Sequence, residues 1–70
     1  MKLFIINEVL SDYTAGMVVI AAESKEQCRE IFIKEFTEYH TNEFDTCAEF
    51  TVIEDVKVPA GVVQYVYGGG

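Results

Sequence analysis

Seventy residues with twelve acidic and five basic side chains give a net charge of −7, and half of the residues are apolar. The length predicts one domain over residues 1–67, followed by a flexible glycine tail at 68–70. The negative charge argues against electrostatic binding to nucleic acid or anionic membranes, and the apolar half argues against a disordered acidic tail.

Residues 1–10 are rich in β-branched and aromatic side chains and predict the first strand. Leu3 and Ile5 fall on one face and Phe4 and Ile6 on the other, so both faces of this strand are expected to be covered. Turn-forming residues follow, and residues 17–22 predict a second strand. The short connection favours an antiparallel hairpin.

Ser24 is positioned as the N-cap of a helix over residues 25–39, with Gln27 three residues later, as in a capping box. Apolar residues recur at helical spacing along one side of this segment. They are Cys28, Ile31, Phe32, Phe36 and Tyr39.

The segment 40–46 has no clear periodicity and is interpreted as a loop. Alternating apolar residues then predict a third strand over 49–58, with Phe50 and Val52 on one face. Pro59 and Gly61 predict a turn, and residues 62–67 a fourth strand.

This order of elements, β-β-α-β-β, predicts an α+β domain with a four-stranded, mostly antiparallel sheet and one helix packed on one face. A right-handed crossover from the second strand to the third would pass over the first strand. The first strand is therefore expected in the centre of the sheet.

One helix covers one sheet face, yet apolar residues occur on both faces of the first and fourth strands. Tyr65 and Tyr67 are predicted on the open face, where exposed apolar residues favour a homo-oligomer or another partner. The alternative is that the 40–46 loop, with Phe44, or strong sheet twist covers this face.

The sequence contains no recognisable catalytic arrangement, so we expect a protein that is not an enzyme and holds no metal or cofactor. His40 is the only histidine, and a solvent-facing loop residue is favoured over a pair with Cys47. No spacing typical of zinc, calcium or phosphate sites is present.

The acidic residues are concentrated, because ten of the twelve lie between Glu23 and Asp55. One interpretation is a solvated surface that keeps a small domain in solution. The other is an acidic surface that binds a protein with a basic surface. Its candidate residues are Glu26, Glu30, Glu35, Glu38, Glu43 and Asp45.

The sequence shows neither a secretory signal pattern nor an apolar run long enough for a membrane helix. Two cysteines are too few for a disulfide scaffold. We therefore expect a cytoplasmic protein in which Cys28 and Cys47 stay reduced and pack as small apolar side chains.

Residues 13–26, YTAGMVVIAAESKE, resemble the hairpin-to-helix junction of small phage and prophage proteins of unassigned function. Residues 58–70 are similar to their closing strand, which also ends in glycine. The resemblance implies an accessory protein of a phage or mobile element that binds, and in an anti-defence role inhibits, a host protein in the host cytoplasm. It implies no catalytic residues.

The chain also resembles ubiquitin-like modifiers and sulfur-carrier proteins in its order of elements, its start MKLFI and its terminal Gly69 and Gly70. That resemblance implies a C-terminal glycine that is activated and then linked or thiolated. A frayed terminus is the alternative explanation of these glycines.

A third hypothesis is an oligomer that holds a small signalling nucleotide in a cleft between subunits. Lys2, Arg29 and Lys57 would gather around the phosphates. The net negative charge argues against it.

Overall fold

The structure, a computed structural model, describes residues 1–11, 14, 16–36 and 38–68, with the backbone alone at 38 and 39. Its strands are β1 (Lys2–Val9), β2 (Gly16–Ala22), β3 (Glu49–Ile53) and β4 (Gly61–Val66). Its helices are α1 (Lys25–Glu35) and α2 (Glu38–Thr46). The α+β class is confirmed, but two helices stand where one was predicted.

The four strands form one antiparallel sheet in the order β3-β1-β2-β4. The prediction of β1 in the centre is confirmed, and β2 shares that position. The third strand is shorter than predicted, because the chain turns at Asp55, which has a φ of 60°. Beyond this turn the Val56 amide still donates to the Met1 carbonyl oxygen at 2.9 Å.

Helix α1 begins as predicted, with the Ser24 hydroxyl oxygen accepting from the Gln27 amide at 3.1 Å. The Gln27 side chain in turn accepts from the Glu23 amide at 2.6 Å. The helix ends earlier than predicted, because Phe36 adopts an extended conformation with φ −121° and ψ 162°. This break separates α1 from α2.

The segment 40–46, predicted as a loop, belongs to helix α2. The prediction was wrong because Phe44 is the only large apolar residue of this segment that packs in the core. A single apolar residue cannot show the helical spacing on which the prediction depended. Phe44 is 3% exposed and its ring centroid lies 5.1 Å from that of Phe32. Helix α2 therefore lies on the same side of the sheet as α1.

The core lies between the sheet and the two helices and contains aromatic rings in contact. Phe32 is fully buried, and its ring centroid lies 5.0 Å from that of Phe36 and 5.1 Å from that of Phe44. Phe44 also contacts Phe50 of β3 at 5.2 Å. From the sheet, the buried contributors are Phe4, Ile6, Val9, Val18, Ile20 and Ala22.

The ends of β1 and β4 meet at Gly16, where the backbones approach closely. A Cβ atom at this position would collide with the Val66 carbonyl oxygen and would lie 2.7 Å from the Gly68 nitrogen. The Gly68 amide donates to the Leu10 carbonyl oxygen at 2.9 Å. The body of the domain therefore includes Gly68, which was predicted as part of the tail.

Phe44→Ala is expected to lower the free energy of unfolding by about 3 kcal/mol, because a buried ring and its contacts with Phe32 and Phe50 are lost. Denaturant unfolding followed by circular dichroism measures this change. Val58→Ala, at an exposed site, is the control and should change stability by less than about 0.5 kcal/mol. Equal effects of the two substitutions would contradict the assignment of Phe44 to the core.

Candidate binding surfaces

The face of the sheet away from the helices is mostly apolar. Since Phe4 and Ile6 point into the core, their neighbours Leu3 and Ile5 lie on the opposite face. The pairing aligns Leu3 with Ile53 and Ala21, and Ile5 with Val19. We call this surface the open face; its apolar residues are the partly or largely exposed Leu3, Ile5, Met17, Val19, Ile53 and Val66, and Ala21, which is fully buried.

Neither α1 nor α2 covers the open face, and at its margins Ile53 and Val66 are 45% and 55% exposed. Polar residues occupy the remaining positions on this face. They are Asn7, Glu49, Thr51 and Gln64. Glu49 is the one charged residue that the strand pairing places on this face. An apolar centre with a polar margin is the usual composition of a protein–protein interface.

Tyr65 and Tyr67 were predicted on the open face, but the structure places both residues on the helix side of the sheet. Their ring centroids lie 5.5 Å and 6.2 Å from that of Phe36, at the end of α1. Both rings remain about half exposed, at 48% and 52%.

The reason for this difference is a β-bulge in β4. Ile20 pairs with Val62 and the preceding residue, Val19, pairs with Gln64, so Val63 is an extra residue. One extra residue reverses which face each following side chain occupies. The tyrosines therefore turn towards the helices, and Val66 turns to the open face.

A cleft of about 290 Å³ lies between the end of α1 and β4. Phe36, Tyr65 and Tyr67 form its aromatic wall, Glu35 lies at the helix end, and Val62, Val63 and Gln64 complete the β4 side. The bulge brings the aromatic rings here, and the amino-acid pattern contains no signal of that bulge.

The structure divides the predicted acidic surface. Helix α1 carries as many basic as acidic side chains, so the helix has no net charge. The basic ones are Lys25, Arg29 and Lys34, and the acidic ones are Glu26, Glu30 and Glu35. These three glutamates are exposed, whereas the side chain of Glu38 lies outside the described residues.

Asp45 of α2 binds a basic residue of this chain. Its carboxylate accepts two hydrogen bonds from the Arg29 guanidinium, both at 2.8 Å. The hydrogen bond and the charge of Arg29 lower the pKa of Asp45. This pair joins α1 to α2, which makes Asp45 less available to a partner than predicted.

Glu43 is directed into the structure. Its carboxylate accepts from the Ser11 amide at 3.1 Å and is hydrogen-bonded to the His40 Nδ1 at 2.5 Å. The His40 and Glu43 side chains are 14% and 16% exposed, so His40 is not the solvent-facing loop residue that was predicted. Burial raises the pKa of Glu43, but the hydrogen bonds from His40 and Ser11 outweigh it, and the pKa is lowered.

The two cysteines differ in environment. Cys28 is buried as predicted, and burial raises the pKa of its thiol to about 12. Cys47 is exposed, with its sulfur 3.4 Å from the Thr46 hydroxyl, so it does not pack as a small apolar side chain.

The cations predicted to gather around a nucleotide have partners of their own. Arg29 is bound to Asp45, and the Lys2 ammonium lies 3.7 Å from the Glu54 carboxylate. Two of the three candidate residues are thus paired with carboxylates at different elements. Lys57, the third, is exposed in the segment between β3 and β4.

Some predicted features fall outside the described part of the chain, among them Gly69 and Gly70. Within the described residues, no three His, Cys, Asp or Glu side chains are arranged to hold a metal ion. No helix in that same part of the chain has the length and hydropathy to cross a membrane.

Comparison with known proteins found no matching protein family, no similar curated protein and no similar solved structure.

The pH dependence of stability should change when Glu43 is replaced. Because the folded state lowers the pKa of Glu43 below its ordinary value of 4.5, the stabilisation is present above that value and is lost as the pH falls through the folded pKa. Glu43→Gln should therefore cost roughly 1–2 kcal/mol at neutral pH, and the difference from the unmodified protein should shrink as the pH falls below 4.5.

Denaturant unfolding across this pH range provides the measurement. The matched control is Glu54→Gln, whose carboxylate forms an exposed ion pair with Lys2 and should contribute less than about 0.5 kcal/mol. A stability difference for Glu43→Gln that stays constant with pH would contradict the role given to this carboxylate.

Proposed function

We propose that this protein is a small, non-enzymatic binding module that docks on another protein through the open face. The observation that carries the proposal is the apolar surface of Leu3, Ile5, Val19 and their neighbours, which neither helix covers. Contiguous apolar surface of this kind on a small domain is typical of a protein-interaction site. Its burial by a partner would stabilise the complex in proportion to the apolar area removed from water.

The charges around the open face define the chemistry of the partner. Glu49 lies on the face beside Asn7, and the exposed Glu8 follows Asn7 in the chain. At the other end of β3, Glu54 and Asp55 follow Ile53. The matching partner is a protein with an apolar patch bordered by lysine or arginine side chains. Such charge complementarity accelerates association and selects among partners.

The biological setting we propose is an accessory protein of a phage or mobile element that acts in the host cytoplasm. The resemblance of residues 13–26 and 58–70 to small phage proteins supports this setting. A module without catalytic residues would inhibit a host protein by occupying a surface that the host protein needs.

Ile53 and Val52 provide a matched pair of substitutions for testing the open face. They are neighbours in β3, both 45% exposed, and they lie on opposite faces of the sheet. Ile53→Lys places a charge on the open face and should weaken partner binding at least about tenfold, which corresponds to about 1.4 kcal/mol. Val52→Lys should leave the affinity within about twofold.

The immobilised protein is used to capture partners from bacterial lysate. Each captured protein is then purified and titrated calorimetrically with the unmodified protein, with Ile53→Lys and with Val52→Lys. A binary complex that weakens with Ile53→Lys, withstands Val52→Lys and loses affinity as salt is raised supports the proposal. Equal affinities for the two variants, or the absence of any protein whose capture depends on Ile53, contradicts it.

A further inference from the structure

The cleft between the end of α1 and β4 contains three aromatic rings that are nearly perpendicular to one another. The plane of Phe36 makes an angle of 75° with that of Tyr65 and 82° with that of Tyr67, and the two tyrosine planes meet at 86°. The ring centroids lie 5.5, 6.2 and 5.7 Å apart in the same order of pairs. All three residues line one cavity of about 290 Å³, so the rings form walls of a single small space.

This arrangement of rings suits a positively charged ligand. The face of an aromatic ring carries the negative part of its quadrupole and attracts a cation that lies within about 6 Å of the ring centroid. Because the three centroids are close together, one cation in the cleft can lie within that distance of all three rings. Tyr65 and Tyr67 are 48% and 52% exposed, so a ligand can reach them from solvent.

The charges at the cleft also favour a cation. Among the described residues that line it, Glu35 is the one with a charge, and no described side chain forms an ion pair or a hydrogen bond with its exposed carboxylate. Glu35 is also the last residue of α1, where the helix dipole is negative. The basic ring of His40 lies 5.9 Å from that of Tyr67, but its Nδ1 is hydrogen-bonded to Glu43.

We propose that this cleft binds an organic cation with a methylated ammonium group. The methyl groups contact the rings of Phe36, Tyr65 and Tyr67, and the Glu35 carboxylate balances the charge. A methylated ammonium is favoured over a bare one, because a bare ammonium needs hydrogen-bond acceptors that aromatic walls do not provide. The volume of about 290 Å³ is at the lower end of ligand sites, which matches a head group of this size.

The proposed cation site is independent of the proposed docking function. The rings of Tyr65 and Tyr67 lie on the helix side of the sheet, against Phe36, whereas docking uses the opposite side. Substitution of Ile53 on the open face should therefore leave cation binding unchanged. Loss of one activity without the other shows which of the two proposals has failed.

Titration with choline, followed by two-dimensional NMR of the ¹⁵N-labelled protein at constant ionic strength, tests the site. Saturable shifts are expected at Phe36, Tyr65 and Tyr67. The control ligand is 3,3-dimethylbutan-1-ol, which has the shape of choline without its charge and should bind at least about tenfold more weakly. Equal affinity for the two ligands overturns the proposal, and so does the absence of shifts at the cleft up to about 100 mM choline.

Two pairs of variants separate the charge and the rings from general effects on the protein. Glu35→Gln should weaken choline binding at least about threefold, whereas Glu30→Gln, the same change on α1 outside the cleft, should not alter it. Tyr67→Leu should weaken binding at least about fivefold, and Tyr67→Phe, which keeps the ring, should remain within about twofold. Equal effects within either pair contradict the proposal.

The source of the cation is distinguished by a third ligand, a short peptide that carries trimethyllysine. A peptide that binds more tightly than choline identifies a modified protein side chain as the source, and a peptide that binds no more tightly identifies a free small molecule. The unmethylated form of the same peptide should bind at least about tenfold more weakly than the methylated form. Equal binding of the two peptides overturns the proposal.

Discussion

The contact of Phe32 with Phe36 and Phe44 determines how the rest of the molecule is arranged. Phe32 holds α1 on the sheet, and Phe44 brings α2 to the same side. Because both helices pack on one face of the sheet, no helix covers the opposite face. The core is therefore one layer of side chains between the sheet and the helices, and the apolar residues of the open face other than Ala21 remain at least partly exposed.

Two β-bulges decide which residues enter that core. At Glu8, with a φ of 65°, the pairing of β1 shifts by one residue, and Val9 becomes buried. At Val63 the shift in β4 turns Tyr65 and Tyr67 towards Phe36. Each bulge adds one residue to one strand, and each thereby exchanges the faces of the side chains that follow.

The distribution of charge follows from the same arrangement. Glu43 of α2 is largely buried and is bound by His40 and Ser11, whereas Asp45 forms an exposed ion pair with Arg29. Both carboxylates are thus already paired within the chain. The other described carboxylates include Glu49, Glu54 and Asp55 at the ends of β3 and three on α1, whose lysine and arginine residues match them in number. The β4 edge is left without charge.

The sequence by itself determined the α+β class, the central position of β1, the N-cap at Ser24 and the excess of apolar residues over what one helical layer covers. These features depend on local capping and on the period of apolar residues, which are properties of neighbouring positions in the chain. The helical state of residues 40–46, the face of Tyr65 and Tyr67, and the internal use of Glu43 and Asp45 were decided only by the tertiary structure. Each of these features depends on residues distant in sequence. Helix α2 is held by the contact of Phe44 with Phe32, and the face of the tyrosines is set by the register of β4 with β2. The two carboxylates are bound by Ser11 and Arg29. This small acidic domain thus joins its two helices through buried aromatic rings, with Arg29 and Asp45 linking them at the surface, and leaves part of its apolar residues on one open face.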